Sequence, residues 1–423
     1  MNKNIKWGCI QPLTGGMYLG AEEAIGHPAS WIISFEGLDS VKYDKDNTKI
    51  IAAGNEYNLL QYLKKVNREV PYFKFDCGMF DDKPISEVNI SGTPDFNDID
   101  IVVSVPVCSG LSKAAVMATA ETRATRNCNM KWITKYTLSV IKPKVFIFEN
   151  APDLMNHNGD STRHELETLA IQNGYSICYF KTDTKLHNNC QKRPRTFVLF
   201  QKWTGNQPMT PSKMNFFANT ITAQEYLAQI PANASQQIPY EMSVCNKLLL
   251  GYCKEKFGNN WRDSIHRSPM NYITTNNLYN DFKEYISRTD DSPKAENVKK
   301  WLDHVKYKTD LGLNYYSDAI ICYDKLTPGI QFRTLRTVLH HNEDRHLTAR
   351  EALWLMGMPH DFELYGDFVM NGRKIGQNVP VGTAKYIVGE AVRWIENWDD
   401  DDRTPDSSTN SAFYDNTKQK QIW

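Results

Sequence analysis

The chain has 423 residues, 41 % apolar and 23 % charged, with 49 basic side chains balancing 49 acidic ones. That is an ordinary globular composition, long enough for two domains. It excludes an intrinsically disordered chain and, with no run near the ~18 apolar residues that cross a bilayer, a helical membrane protein. The first residues, Met-Asn-Lys-Asn-Ile-Lys-Trp, lack the apolar stretch of a signal peptide. Nine cysteines without a Cys-x-x-Cys pair argue against a disulfide framework or a zinc site, and a reducing, intracellular setting is expected.

Residues 5–36 read as strand, tight turn, helix and strand. Thr14-Gly15-Gly16 forms the turn, Met17–Ile25 carries helical periodicity, and Gly26 stops it. Trp31–Phe35 is a second strand ending at Glu36, and Asn55–Asn67 is a helix opened by Glu56. Tyr72-Phe73-Lys74-Phe75-Asp76 is a third strand. Asp98 to Val105 is a β-branched run that reads as a buried strand. Pro106-Val107-Cys108-Ser109-Gly110 stops it and lifts Cys108 out of the sheet, at the edge where open α/β sheets bind ligands. Such a cysteine is often a packing residue.

Residues 113–141 have helix formers and no proline, fitting a loop that runs into a helix. Lys144–Phe148 is a further strand, ending in Glu149-Asn150. Residues 163–181 give another helix and strand, and Gln191-Lys192-Arg193-Pro194-Arg195 leads into the strand Thr196–Phe200. Strands alternating with helices predict a doubly wound parallel sheet. Between 203 and 325 the alternation weakens and Asn, Tyr and Lys rise. Thr348-Ala349-Arg350-Glu351 has the spacing of a capping box. Residues 381–397 form an amphipathic helix expected to pack back on the first domain, and Asp399–Trp423 has the composition of a disordered tail. Two basic clusters, Lys185/Lys192/Arg193/Arg195 and Arg333/Arg336/Arg345/Arg350, suggest either solvated faces or a groove for phosphates.

Four segments in order, Pro106-Val107-Cys108, Glu149-Asn150-Ala151, Gln191-Lys192-Arg193-Pro194-Arg195 and Gly376-Gln377-Asn378-Val379-Pro380, resemble the cytosine-5 DNA methyltransferase family. The resemblance covers roughly the first 200 residues and the last 80 before the tail. It implies a Rossmann-like α/β core, dependent on S-adenosylmethionine, over 1–202. It further implies a smaller α+β target-recognition domain over 203–370 and a returning segment over 371–398. Cys108 would be the nucleophile and Glu149 the acid at the N3 atom of cytosine. Arg195 would serve the cytosine carbonyl or Glu149, and Arg193 a backbone phosphate or loop packing. Thr14, Gly15, Gly16, Pro106, Gln377 and Asn378 would line the cofactor site, with Asp76 accepting from the adenine amine. Either Glu36 or Glu56 would bind the ribose; in the second case residues 37–50 are an inserted hairpin.

The sequence departs from the family at five places, one of them Ala151, where the family has valine. Gln11 replaces the aromatic of the glycine turn, and that turn lacks its first glycine. Val107 stands where the family has proline, and Gln377 where it has asparagine. An uncharged Gln377 offers no salt bridge to a carboxylate-bearing donor, so plain S-adenosylmethionine and a simple methyl product are expected.

The chemistry explains the residue types. Carbon 5 of cytosine is too poor a nucleophile until a thiolate adds at carbon 6, and cysteine both adds and leaves readily. A carboxylic acid of raised pKa relieves the charge on the ring. The expected partner is double-stranded DNA, with no metal and no membrane, for a monomer in the cytoplasm of a bacterial or phage-infected cell, acting at the nucleoid. Competing readings are an RNA cytosine-5 methyltransferase and a catalytically silent DNA-binding homologue.

Overall fold

The computed structural model describes residues 5–81, 83–107, 110–111, 120–156, 159–205, 208–215, 219–265, 268–313, 320–321, 327–328, 335, 338–398 and 411–418. In chain order the strands are β1 (Trp7–Ile10), β2 (Trp31–Phe35), the hairpin β3 (Val41–Tyr43) and β4 (Ile50–Ala53), β5 (Tyr72–Phe75), β6 (Ile101–Ser104), β7 (Val145–Asn150), β8 (Tyr175–Asp183), β9 (Gln191–Lys192), β10 (Pro194–Lys202), β11 (Ile320–Ile321), β12 (Thr327–Pro328), β13 (Val338–Leu339) and β14 (Ser411–Asp415). Eight of them build one sheet in the order β5-β2-β1-β6-β7-β10-β8-β14. Its neighbours run parallel except β10, which is antiparallel to both β7 and β8.

The alternation of side chains along the strands sorts the core into two layers. On one face Trp7, Ile32, Val103, Ile147 and Leu199 meet the helices Gly16–Ile25, Asn55–Lys65 and Val381–Glu396. On the other, Ile10, Ile33, Val102, Phe148 and Phe200 meet the helices Ala120–Tyr136 and Asp160–Gln172. Full burial of each such side chain stabilises the fold by about 1.5–3 kcal/mol, so a strand read as an unbroken apolar run is well accounted for. The fold class expected from the alternation is the one observed.

The helix Val381–Glu396 packs against Gly16–Ile25 so closely that only glycine fits at the crossing. A Cβ on Gly20 would lie 2.5 Å from that of Ala384, and one on Gly16 would lie 1.8 Å from the Val379 carbonyl oxygen.

The middle of the chain has a core of its own. The helices Val244–Phe257, Pro269–Thr275, Tyr279–Thr289 and Pro293–Asp310 enclose Leu249, Trp261, Ile273, Phe282, Ile286 and Leu302. Ser243, Ser268 and Ser292 cap three of these helices, each accepting from the backbone N–H three residues on. Among its described residues this unit is largely helical, with β11 and β13 as its two-stranded piece. Ala223, Leu227, Leu353 and Leu355, all within the expected recognition domain 203–370, join the core of the sheet instead. Thr348 and Glu351 form the expected capping box.

The expected disordered tail is corrected in part. Residues 411–415 pair in parallel with β8, and the Phe413 ring stacks on Tyr179 at 4.8 Å. A polar composition conceals this short segment, which covers a strand edge that would otherwise stand open. Truncation after Trp398 is therefore expected to lower the melting temperature by a few degrees, roughly 2–4 °C for each 1 kcal/mol lost. An unchanged melting curve would return the segment to a tail.

Candidate active site at the carboxyl edge of the sheet

From β1 the chain winds outward to β2 and β5, and from β6 it winds the opposite way to β7. The carboxyl ends of β1 and β6 therefore flank the crevice where open α/β sheets receive ligands. The turn 11–16 leaves β1 there, and the loop toward Cys108 leaves β6. β2, β5 and β7 end at the same edge.

The turn keeps its shape without its first glycine. Gln11 and Leu13 take left-handed φ values of 52° and 51°, and Gly15 takes 108°. Each non-glycine residue in that region costs about 1–2 kcal/mol. Leu13 offsets this by entering the core, and Gln11 by donating its N–H to the Ile33 carbonyl at 2.9 Å. Gly16 N–H donates to Asn378 Oδ1 at 2.8 Å, and Thr14 Oγ donates to the Lys374 carbonyl at 3.0 Å. The polar groups of Thr14 and Asn378 thus brace the turn against the returning segment. Gln377 is exposed and accepts from Asn55 Nδ2 at 2.9 Å.

Both candidate ribose acids end up beside β2. The β3–β4 hairpin leaves after Glu36 and returns at Gly54, where the Glu56 N–H reaches the Leu38 carbonyl at 3.0 Å. Glu36 is exposed. Glu56 is fully buried and accepts from Ser34 Oγ at 2.6 Å, Tyr72 OH at 2.9 Å and the backbone N–H of Leu13. Burial pushes its carboxyl up to about 8, against the pull of those donors. Asp76 follows β5 as expected, but Lys83 Nζ and both nitrogens of Asn89 already occupy it at 2.9–3.0 Å. These bonds, led by Asn89, hold its carboxyl near 2.

Glu149 lies at the end of β7, almost fully buried, with Arg195 Nε 2.7 Å from its Oε1. The antiparallel direction of β10 brings Arg195 to the edge where β7 ends. Burial raises the Glu149 carboxyl above the ordinary range, while Arg195 and then Arg193 pull it back. Arg193 is buried and donates to the Gly376 and Asn378 carbonyls at 2.8 and 2.9 Å, which is loop packing rather than a phosphate contact. Gln191 donates to the Leu355 carbonyl at 2.9 Å.

β6 is paired with β7 through Ser104 and Phe148, so the segment after Ser104 leaves the sheet beside Glu149. Pro106 is buried, and Cys108 lies outside the described residues. Sequence reasoning passed over Ser104, whose buried hydroxyl has no hydrogen-bond partner among the described residues. It also passed over Asn129, whose signal was an amide on the apolar face of a helix.

The two described members of the second basic cluster are internal ties. Arg350 is buried, donating to the carbonyls of Ser235, Pro359 and Phe362. Arg345 is paired with Glu343 and Glu351. Arg333 and Arg336 lie outside the described residues.

Residues 71–393 match the family model described as C-5 cytosine-specific DNA methylase. The chain belongs to that family. A type II methyltransferase, M1.HphI of Haemophilus parahaemolyticus, is 23 % identical over 309 residues, 73 % of this chain and 72 % of that protein. M.PspPI of Psychrobacter is 25 % identical over 60 % of this chain and 54 % of its own length. DNA (cytosine-5)-methyltransferase 3 of Arabidopsis thaliana is 21 % identical across 90 % of this chain, which spans 30 % of that protein. In fold, the chain is similar to a crystal structure described as a prophage-encoded DNA modification methyltransferase of E. coli. Its TM-score is 0.51 at 15 % identity, covering 93 % of this chain and 99 % of that one.

This C-5 cytosine methylase is a DNA methyltransferase that uses S-adenosylmethionine. Two polar groups at the ends of β6 and β2 suit that donor: the buried Ser104 hydroxyl, which has no hydrogen-bond partner among the described residues, and the exposed Glu36 carboxylate. The family match begins at residue 71 and so leaves out the divergent turn. Among the described residues no helix is long and apolar enough to cross a membrane.

Glu56 is occupied by protein donors, whereas Glu36 is exposed with no side-chain hydrogen bond among the described residues, so a ribose role for Glu36 is the one to test. Glu36→Gln is expected to weaken S-adenosylhomocysteine binding about tenfold or more, since a charged hydrogen bond contributes ~1.5–3 kcal/mol. Calorimetry checks this, and an unchanged affinity would move the role elsewhere. Glu56 gives a pH test. Its folded value of about 8 exceeds the ordinary 4.5, so the folded state holds the proton more tightly. Its contribution is complete below 4.5 and is lost as pH rises through 8. Glu56→Gln should therefore lose less melting temperature than the parent between those limits, and parallel curves would refute the assignment.

Proposed function

We propose that this methylase modifies carbon 5 of a cytosine flipped out of double-stranded DNA, through a covalent bond between the Cys108 sulfur and carbon 6. The observation that carries the reading is the buried Glu149 carboxyl held by Arg195 at 2.7 Å. It lies on the strand end beside the one from which the Cys108 loop departs.

The Cys108 thiolate adds to carbon 6 as Glu149 delivers its proton to N3, leaving the electron pair on carbon 5. S-adenosylmethionine, when bound, supplies the methyl group that carbon 5 takes. A base then removes the carbon-5 proton, the bond from carbon 6 to sulfur breaks, and the N3 proton returns to Glu149. Burial raises the hold of that carboxyl on its proton, and Arg195 orients it and stabilises the carboxylate once the proton has gone. Glu36 and the turn of Gly15 and Gly16 would hold the adenosine part of the donor, and Pro106 sets the start of the nucleophile loop. Attack on carbon 6 requires the base outside its stack, at a cost of a few kcal/mol. The helical unit of residues 244–310, with its own core, supplies a second surface to grip the duplex and offset that cost.

DNA containing 5-fluorocytosine should trap the adduct, because fluorine cannot leave as the proton does. A stable complex persisting in Cys108→Ala would sink the assignment. Glu149→Gln keeps the shape and removes the acid, so DNA binding should persist while turnover falls by roughly 10²–10⁴-fold. Undiminished turnover would make Glu149 structural.

A further inference from the structure

We propose that Asn129 is a positioning residue that ties the cofactor turn to the loop carrying Cys108, so that occupancy of the donor site sets the reactivity of that cysteine. The inference rests on the reading of Cys108 as the nucleophile.

Asn129 is 1 % exposed, within a helix whose Met130 and Ile133 pack on the same apolar layer as Ile10, Ile33 and Val102. An amide there is costly unless both of its ends are bonded. Both are. Oδ1 accepts from Val107 N–H at 2.9 Å, and Nδ2 donates to Gln11 Oε1 at 3.1 Å.

The two partners leave adjacent strands on opposite sides of the crevice. Gln11 is the first residue after β1, fully buried, with Nε2 against the Met79 sulfur at 3.6 Å. Val107 is the third residue after β6 and immediately precedes Cys108. One side chain therefore bridges the turn under the donor and the root of the nucleophile loop, across the β1–β6 pairing.

The bridge also joins two of the positions at which this chain differs from the family pattern. A proline in place of Val107 has no N–H to give. An aromatic in place of Gln11 offers no oxygen for the Asn129 amide. With both replaced, each polar group has its partner, and the buried Gln11 and Asn129 satisfy one another. Three residues that would each be unfavourable alone become one connected chain of hydrogen bonds. A shift of the turn when the donor binds moves Gln11 and, through Asn129, the peptide N–H beside Cys108.

The test is the rate at which iodoacetamide alkylates Cys108 in the intact protein, followed by mass spectrometry of its peptide. It is run with and without saturating S-adenosylhomocysteine. The parent protein should respond by at least about fivefold, the low end of ordinary site-to-site coupling. In Asn129→Ala and in Val107→Pro the response should fall below about twofold, with S-adenosylhomocysteine binding retained by calorimetry. Val107→Pro removes the same hydrogen bond from the loop side and leaves the helix untouched, so it decides the matter if Asn129→Ala fails to fold. A parental response surviving in the folded variants would overturn the proposal, because the donor would then shield Cys108 directly. An unresponsive parent, or loss of S-adenosylhomocysteine binding in both variants, would overturn it too. Trapping by 5-fluorocytosine in the parent reports on the nucleophile independently, so failure of the coupling and failure of the Cys108 reading are told apart.

Discussion

The site depends on the close approach of the first helix to the returning end of the chain. Gly16 and Gly20 let that helix lie against residues 378–384 at a distance no side chain would allow. The Gly16 N–H closes on Asn378 Oδ1, Thr14 closes on the Lys374 carbonyl, and Arg193 reaches the Gly376 and Asn378 carbonyls. These bonds join segments more than 180 residues apart in the chain. Three of the four are buried, so breaking one of those would leave a polar group without water or partner. The crevice between β1 and β6 is fixed by that clamp as much as by the sheet.

A second constraint is electrostatic. Glu149 is buried beside one guanidinium and near another, so desolvation and attraction oppose each other on the same carboxyl. The balance leaves its pKa raised, as a group that exchanges a proton with a ring nitrogen requires. The single antiparallel strand makes this possible. If β10 ran with its neighbours, Arg195 would begin at the far edge of the sheet, away from Glu149.

Several residues marked from the sequence as donor contacts hold the protein together instead. Asn378 and Thr14 bond backbone groups of the opposing segment, and Asp76 bonds Lys83 and Asn89, while Arg193 takes the loop-packing role that was one of its two expected ones. A motif fixes where a residue type must occur without saying which of its neighbours it touches. The same limit applies to the arginines at 345 and 350. Charge clustering in sequence suggested a groove, whereas burial and the ion pairs with Glu343 and Glu351 make them internal ties.

The order of strands and helices through the first 200 residues, the strand ends carrying Glu36, Asp76 and Glu149, and the packing of the last helix were legible in the sequence. Each follows from local periodicity, caps and turn residues, which act over a few positions. Sequence alone also located the departures at Gln11 and Val107. Only the tertiary structure decided that Glu56 is buried while Glu36 stays exposed, because the hairpin between them returns the chain to the end of β2. Only it showed residues 411–415 on the sheet edge and Asn129 between the two divergent loops. Those outcomes depend on contacts between residues tens to hundreds of positions apart, and the geometry of such contacts is set by how whole elements pack.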